Sequence, residues 1–286
     1  ASARPCRHRF QAAAAPAPAR LIAPASVAYL WFTLMSFAYT GDICLQTRSG
    51  TARRPGGQEP DRWDCVMNSS ALEFSLFPVS SQQELLEACA VRAQAYGHHL
   101  PEMGEQLAAP DDIDRHADTT VFLCRDKASG QATGTMRIQT SEHGPLMIEH
   151  SVRLPPRLAG VRRAEVTRLA VRVGADPLTK LCLMKASYLF CMAHRVQAMV
   201  IGARKESLIR NYRRLGFGDV FEGGALMPLA HTGGLPHRIL CFDVAGAERM
   251  WAQGRHPLYT FMVGTRHDDL RVLPPLPAPA APRPAA

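Results

Sequence analysis

A strand, a helix and a second strand in the middle of the chain constrain its fold most. Residues 165–173 (EVTRLAVRV) alternate in polarity, which predicts a half-buried strand. A helix with apolar side chains at helical spacing begins near Pro177 and runs to about Val196. Residues 199–203 (MVIGA) are a short apolar run typical of a buried strand. This order predicts a helical crossover between two parallel strands.

The other elements predict an α+β fold with a central mixed sheet flanked by helices. They are a strand at 72–79, a helix at 81–96 begun by a capping box, a loop at 97–118, a hairpin at 119–125 and 132–139, a helix at 206–215, and strands near 217–221 and 238–244. Long ordered loops in compact domains are usually functional, so the loop is expected to cover a site. The sequence has no phosphate loop, dinucleotide fingerprint or nucleophile elbow.

The two ends of the chain differ in composition from its middle. Residues 1–66 are rich in Ala, Pro, Gly and Arg, and their apolar stretch of 13 residues at 27–39 is shorter than the roughly 20 that span a bilayer. We expect residues 1–66 to be an extension upstream of a natural start at Met67. One folded domain is expected at 67–255, followed by a C-terminal extension at 256–286 with a Pro/Ala-rich tail. Secretion or membrane association through residues 27–39 stays open.

Charge and cysteine usage exclude several classes of protein. The formal charge is +8, but residues 1–66 carry +4 and residues 274–286 carry +1, which leaves +3 for the rest. A net charge this small over residues 67–273 argues against a nucleic-acid partner. The eight cysteines form no C-x-x-C pair, and no histidine stands at zinc-ligand spacing from them. We therefore expect free thiols in the cytoplasm and no metal.

Charged side chains interrupt two of the predicted strands. Glu165 and Arg168 lie within EVTRLAV, and Arg137 lies within the second strand of the hairpin. A buried charge is costly unless it is paired or used, so these residues are either structural ion pairs or parts of a site. Alternation along the strand predicts Glu165, Thr167 and Leu169 on one face and Arg168 on the other.

Four short motifs together resemble a known pattern. They are Arg92-x-x-x-Tyr96, Asp111-x-x-Asp114, Gly134-Thr135-Met136-Arg137 and Glu165-Val166-Thr167-Arg168-Leu169-Ala170-Val171. Their order and spacing resemble those of the acyl-homoserine-lactone synthases (LuxI type) and the N-acyl amino acid synthases (FeeM type). The resemblance covers about residues 74–245 and implies the fold of the GCN5-related N-acetyltransferases (GNAT).

The resemblance also implies roles for individual residues. Glu165 matches the general base, and Arg168 matches a neighbouring structural or substrate-orienting residue. The other implied site residues are Arg92, Tyr96, Asp111, Asp114, Arg137 and Val171, the last for a backbone N–H that faces the oxyanion. Tyr212 matches a tyrosine that serves as general acid in this fold, although such a tyrosine is also a normal core residue.

The turn after the central strand departs from the pattern of enzymes that bind coenzyme A. Residues 173–180 (VGADPLTK) contain one Gly, a Pro without an N–H, and an Asp that repels phosphate. We therefore expect no bound cofactor and a donor in which acyl-phosphopantetheine is carried by acyl carrier protein. A basic stretch at 204–214 either meets that acidic carrier or is a solvated face.

These observations predict an N-acyltransferase that moves a long-chain fatty acyl group from acyl carrier protein to the α-amine of an amino acid. Residues 97–103 (GHHLPEM) lack the tryptophan of the lactone synthases, which favours the N-acyl amino acid branch. Two alternatives stay open. One is synthesis of an acyl-homoserine lactone from S-adenosylmethionine, and the other is a non-catalytic carrier-binding or membrane-anchored interaction protein.

Overall fold

The computed structural model describes residues 70–273, within which eight strands form one sheet. The strands are β1 (Phe74–Pro78), β2 (Thr119–Asp126), β3 (Ala132–Thr140), β4 (Arg163–Val171), β5 (Ala198–Ala203), β6 (Gly218–Asp219), β7 (Leu226–Leu229) and β8 (Leu235–Asp243). Their order is β1-β2-β3-β4-β5-β8-β6, and β7 also pairs with β8. The pair β4 and β5 is parallel and the other strand pairs are antiparallel, so the predicted mixed sheet is confirmed.

Helices cover both faces of the sheet. They are α1 (Gln82–Gly97), α2 (Pro101–Gln106), α3 (Pro156–Ala159), α4 (Leu178–Ala193), α5 (Glu206–Leu215) and α6 (Ala247–Gln253). Buried side chains of α4 and α6 pack on one face, whereas α1 packs on the other face against β1 to β4. The predicted capping box begins α1: Ser81 Oγ accepts the Glu84 N–H at 3.2 Å, and Glu84 Oε2 accepts the Ser81 N–H at 3.2 Å.

The parallel strands β4 and β5 separate soon after they meet. Their pairing covers only Arg163 with Ala198, Ala164 with Met199, and Glu165 with Val200. Beyond Glu165 the two strands continue without pairing to each other, so a gap opens between them in the middle of the sheet. The crossover through α4 is the one that the sequence predicted.

A bulge in β4 changes which side chains share a face. Thr167 pairs with Arg137 and Ala170 pairs with Thr135, so that Arg168 and Leu169 together oppose one residue of β3. Arg168 has a φ of +56°, in the left-handed region that a non-glycine residue rarely adopts.

The prediction from strict alternation is therefore wrong for this half of the strand. Leu169 packs on the α4 side with Val166. Arg168 lies instead beside Asp111, on the side of Thr167 and Arg137. The extra residue of the bulge reverses the alternation after Thr167.

Three other regions differ from the predicted elements or extend them. Residues 97–118, predicted as a loop, contain α2 and a 3-10 turn at Ile113–Arg115. Gly104 lies so close to α1 that a Cβ there would be 2.6 Å from the Gly97 Cα. β7 was not predicted. After residue 255, where the sequence placed the end of the domain, Phe261 and Met262 are buried in the core.

Other expectations concern membrane spans and the ends of the chain. No helix among residues 70–273 is long and apolar enough to cross a bilayer. The extension at 1–66, the start at Met67 and the tail from residue 274 lie outside the described residues.

Candidate active site

Glu165 lies at the point where β4 and β5 separate, and its side chain is almost completely buried. One carboxylate oxygen, Oε2, accepts the Ile148 N–H at 2.8 Å. The other, Oε1, has no hydrogen-bond partner among the described residues and faces His231 Nε2 at 3.8 Å. Burial raises the pKa of Glu165 to about 7, although the Ile148 N–H and the Arg137 charge favour the ionised form. A carboxyl with this pKa can both accept and release a proton near neutral pH.

A network of arginines and aspartates lies on the same face of the sheet, and all of its side chains except that of Asp111 are buried. Arg92 Nη1 contacts both oxygens of Asp114 at 2.8 Å. Arg137 Nη1 contacts Asp111 at 2.7 and 2.9 Å and Asp114 at 3.2 Å. Burial alone would raise the pKa of Asp111, but the hydrogen bond and charge of Arg137 hold it below its ordinary value. The two aspartates also bond to each other's backbone N–H, which fixes the turn that carries them.

Arg168 is held less tightly than the other two arginines. Its Nη2 lies 3.4 Å from the His231 carbonyl and 4.0 Å from Asp111. Its Nε is buried without a hydrogen-bond partner in the described part of the chain. Burial and the neighbouring Arg137 charge lower the pKa of Arg168. This guanidinium therefore has hydrogen-bonding capacity left for an anionic group.

Two further predicted residues lie beside the gap. The hydroxyl of Tyr96, on α1, is 3.4 Å from the Leu169 carbonyl, and burial raises the pKa of this phenol. The Arg172 N–H donates to Thr133 O on β3 at 2.8 Å. Because successive N–H groups of a strand point in opposite directions, the N–H of Val171 points away from β3, toward the gap.

An apolar cavity of about 30 Å³ lies on the other face of β4, the face opposite Arg168. Its lining includes Val166 and Leu169 of β4, Met184 of α4, Met199 of β5 and Met262. This volume holds roughly one water molecule, so a longer apolar ligand has to displace side chains. Methionines are well suited to that because they are flexible and unbranched. Tyr212 also lines this cavity and packs against Phe217, with the ring centroids 5.2 Å apart.

The turn between β4 and α4 is occupied by an acidic side chain. Asp176 Oδ1 accepts the Leu178 N–H at 2.7 Å, and the Asp176 carbonyl accepts the Thr179 N–H at 2.9 Å. These are N–H groups that would otherwise face an anion at the start of the helix. The residues of this turn therefore do not fit a pyrophosphate group.

Comparison with known proteins agrees with this architecture. Residues 87–225 match the family model described as N-acyl amino acid synthase FeeM. The chain is an acyltransferase that resembles this family over the matched residues. The resemblance seen in the four motifs is thus confirmed, and the α+β fold with a mixed sheet flanked by helices is the predicted one. No curated protein sequence matches this acyltransferase.

Several solved structures are similar to this acyltransferase at low identity. The N-acyl amino acid synthase FeeM from uncultured soil microbes is 17% identical, with a TM-score of 0.48 over 63% of this chain and 96% of that one. Apo TofI is 18% identical, with a TM-score of 0.43 over 60% and 91%. The ribosomal-protein-S18-alanine N-acetyltransferase from Escherichia coli is 13% identical, with a TM-score of 0.40 over 60% and 94%.

The structure brings the residues predicted for the site together around one strand. Glu165, Arg168 and Val171 are on β4. The remaining five lie around the face of β4 that carries Glu165: Arg92, Tyr96, Asp111, Asp114 and Arg137. Two contacts of the site were missed from the sequence, the Ile148 N–H and the ring of His231. For His231, the signal available in the sequence was its position shortly before two glycines, in residues 231–234 (HTGG).

Proposed function

We propose that this acyltransferase moves a long-chain fatty acyl group from acyl carrier protein to the α-amine of an amino acid. The observation that carries the proposal is the position of Glu165. Its carboxyl lies where two strands separate, with an arginine-rich cluster on its own face of the sheet and an apolar cavity on the opposite face. An acceptor with a carboxylate and a donor with an apolar chain fit these two surroundings.

The chemistry requires a base, a hydrogen-bond donor that stabilises the oxyanion, and a leaving group. The acceptor amine is mostly ammonium at neutral pH, and it loses a proton to the carboxylate of Glu165. The free amine then attacks the thioester carbonyl, and the Val171 N–H stabilises the oxyanion. The C–S bond breaks when the tetrahedral intermediate collapses. Phosphopantetheine leaves as a thiolate, which takes up the second proton that the nitrogen loses as the amide forms. Burial raises the pKa of Cys182 to about 12, so this thiol is not an activated nucleophile.

We assign the acceptor carboxylate to Arg168. The Arg92 and Arg137 guanidiniums are each within 3.2 Å of an aspartate oxygen. In the described part of the chain, the nearest aspartate oxygen to Arg168 is 4.0 Å away. Within the cluster, three arginines face Asp111 and Asp114. One positive charge therefore remains when Glu165 is protonated, and a substrate carboxylate balances it.

Replacing Arg168 with lysine tests this assignment. Lysine keeps a positive charge but lacks the planar fork that binds a carboxylate through two N–H groups. We expect the KM for the amino acid to rise about tenfold or more, an interaction worth roughly 1–3 kcal/mol. The control is the corresponding decarboxylated amine, which both enzymes are expected to use equally poorly. An unchanged KM for the amino acid in R168K contradicts the assignment.

Two features support a protein-borne donor. The turn before α4 is filled by the Asp176 carboxylate, which repels the pyrophosphate of coenzyme A. An exposed basic face lies on and just before α5, and consists of Arg204, Lys205, Arg210, Arg213 and Arg214. Clustered positive charge of this kind speeds and orients association with an acidic protein.

Charge reversal on this basic face tests the docking of the carrier. We expect R210E/R214E to raise the KM for acyl-acyl carrier protein about tenfold at low ionic strength, and less at high salt. Acyl-pantetheine without the carrier is expected to react unchanged. The matched control R153E/R266E alters the net charge equally at exposed positions elsewhere. If both double variants behave alike, the docking assignment is wrong.

The proposed function itself is tested by product analysis. The full chain is incubated with acyl-acyl carrier proteins of different chain length and with each amino acid in turn, and the products are identified by mass spectrometry. We expect an N-acyl amino acid that is absent when the carrier or the acceptor is omitted. A lactone formed from S-adenosylmethionine, or no acyl product with any acceptor, overturns the proposal.

A further inference from the structure

The complete burial of Glu165 raises the question of how a proton reaches it. The residue is only 1% exposed, and Oε2 is occupied by the Ile148 N–H. Oε1 is buried and lacks a hydrogen-bond partner in the part of the chain that the structure describes. An acceptor amine in the cleft therefore needs an intermediary that touches both the amine and this oxygen.

The ring of His231 lies beside this oxygen, and 10% of its side chain is exposed. Its Nε2 is 3.8 Å from Glu165 Oε1, about 1 Å beyond hydrogen-bond length. Its other nitrogen, Nδ1, is buried and has no hydrogen-bond partner among residues 70–273. The ring thus has one nitrogen directed at the carboxylate and a second nitrogen with its hydrogen-bonding capacity unused.

The backbone around His231 is fixed in place. The Ala230 N–H donates to Ser151 Oγ at 2.9 Å, and the Gly234 N–H donates to the Leu229 carbonyl at 3.0 Å. Gly233 and Gly234 have φ of +69° and +77°, which a side chain at either position would disfavour. The His231 carbonyl also faces Arg168 Nη2, which ties this turn to the acceptor side of the site.

The charges around the ring favour a neutral imidazole. Burial lowers the pKa of His231 to about 4, and the Arg168, Arg137 and His237 charges add to this, while Asp111 opposes it. Glu165, with a pKa of about 7, holds a proton more strongly than the ring does. A proton that enters on the imidazole is therefore drawn on to the carboxylate.

We propose that His231 is a second catalytic residue, which relays the proton of the acceptor amine to Glu165. Nδ1 takes the proton from the ammonium, and Nε2 gives its own proton to Glu165 Oε1. The ring stays neutral overall and changes tautomer, and Glu165 becomes neutral. The inference rests on the proposed acyl transfer, and it adds a residue that lies outside the matched region 87–225.

The variants H231Q and H231A separate a relay from a positioning role. Glutamine can place an N–H donor near Glu165 but cannot pass a proton, whereas alanine does neither. A relay predicts that kcat/KM for the amino acid falls about a hundredfold or more in both variants. It also predicts that imidazole in the buffer restores part of the activity of H231A. If H231Q stays within threefold of the wild type, or imidazole restores nothing, the relay is excluded.

A spectroscopic readout keeps this inference separate from the proposed function. Histidine labelled with ¹⁵N in the full chain reports the tautomer of each ring, and the signal of His231 is assigned by its loss in H231Q. At pH 7 we expect a neutral His231 with its proton on Nε2, and a changed signal in E165Q. A charged ring, or a signal that E165Q leaves unaltered, overturns the relay. A wild type that makes no acyl product refutes the proposed function, and the spectrum still decides whether the two residues share a proton.

Discussion

Replacing Glu165 with glutamine is expected to lower the rate of N-acyl product formation by about 10²–10⁴-fold, the range that a positioned general base contributes. Glutamine has nearly the same shape, and its amide oxygen can still accept the Ile148 N–H that Oε2 now accepts. It cannot take a proton from the acceptor amine. The measurement is kcat/KM for the amino acid at a saturating concentration of acyl donor.

The stability of E165Q provides the control for this prediction. Burial raises the pKa of Glu165 from 4.5 to about 7, so below pH 4.5 the carboxyl is protonated in the folded and the unfolded states alike. As pH rises to 7 and above, the unfolded state releases this proton more readily, and the wild type loses about 3 kcal/mol of stability from this group. E165Q avoids that loss. We expect it to be more resistant to urea than the wild type at pH 8, with a smaller difference at pH 5.

A variant that is both more stable and far less active identifies Glu165 as a functional residue maintained at a cost in stability. If E165Q retains full activity, the carboxyl is structural and the proposed chemistry fails. If E165Q is inactive and also less stable at pH 8, loss of the fold explains the result and the interpretation of Glu165 as a buried base is wrong.

Replacing Asp114 with asparagine is expected to lower the free energy of unfolding by about 3–5 kcal/mol, because it removes one partner from a buried set of charges. Asp114 contacts Arg92 through both oxygens at 2.8 Å and Arg137 at 3.2 Å, and the Asp114 side chain is 1% exposed. Without the Asp114 charge, Arg92 keeps no carboxylate contact of this length among residues 70–273. Urea denaturation at pH 7 measures the effect.

The neighbouring residue offers a matched control for D114N. Asp112 lies in the same turn but is exposed, so D112N is expected to change stability by no more than about 0.5 kcal/mol. Equal effects of the two substitutions contradict a network stabilised by buried charge.

D114N is also expected to weaken binding of the amino acid, because the arginines that it releases no longer hold the turn beside Arg168.

Local sequence patterns predicted most of the fold because each depends on residues close together in the chain. The capping box of Ser81 and Glu84, the hairpin and the glycine that ends α5 are signals of this kind. Pro101 marked the first position of α2, although residues 97–118 were predicted as a loop. The long and strongly patterned crossover helix was the clearest element.

The parts of the site that the sequence did not predict depend on distant contacts. Nothing in EVTRLAV indicates that Arg168 adopts a positive φ, because that conformation is imposed by pairing with β3. The bulge places Arg168 on the same side as Glu165, which alternation could not show. His231 reaches Glu165 from a turn between β7 and β8, and only the folded sheet brings these two residues together.

The dependence of kcat/KM on pH tests the central claim most directly. With acyl-acyl carrier protein and the preferred amino acid, we expect the wild type to show a rising limb with an apparent pKa near 7, from the carboxyl of Glu165 in the free enzyme. This limb is expected to disappear in E165Q, while any limb that belongs to the acceptor amine remains at higher pH. A limb near pH 7 that persists unchanged in E165Q would show that another group accepts the proton, and the account given for Glu165 would be wrong.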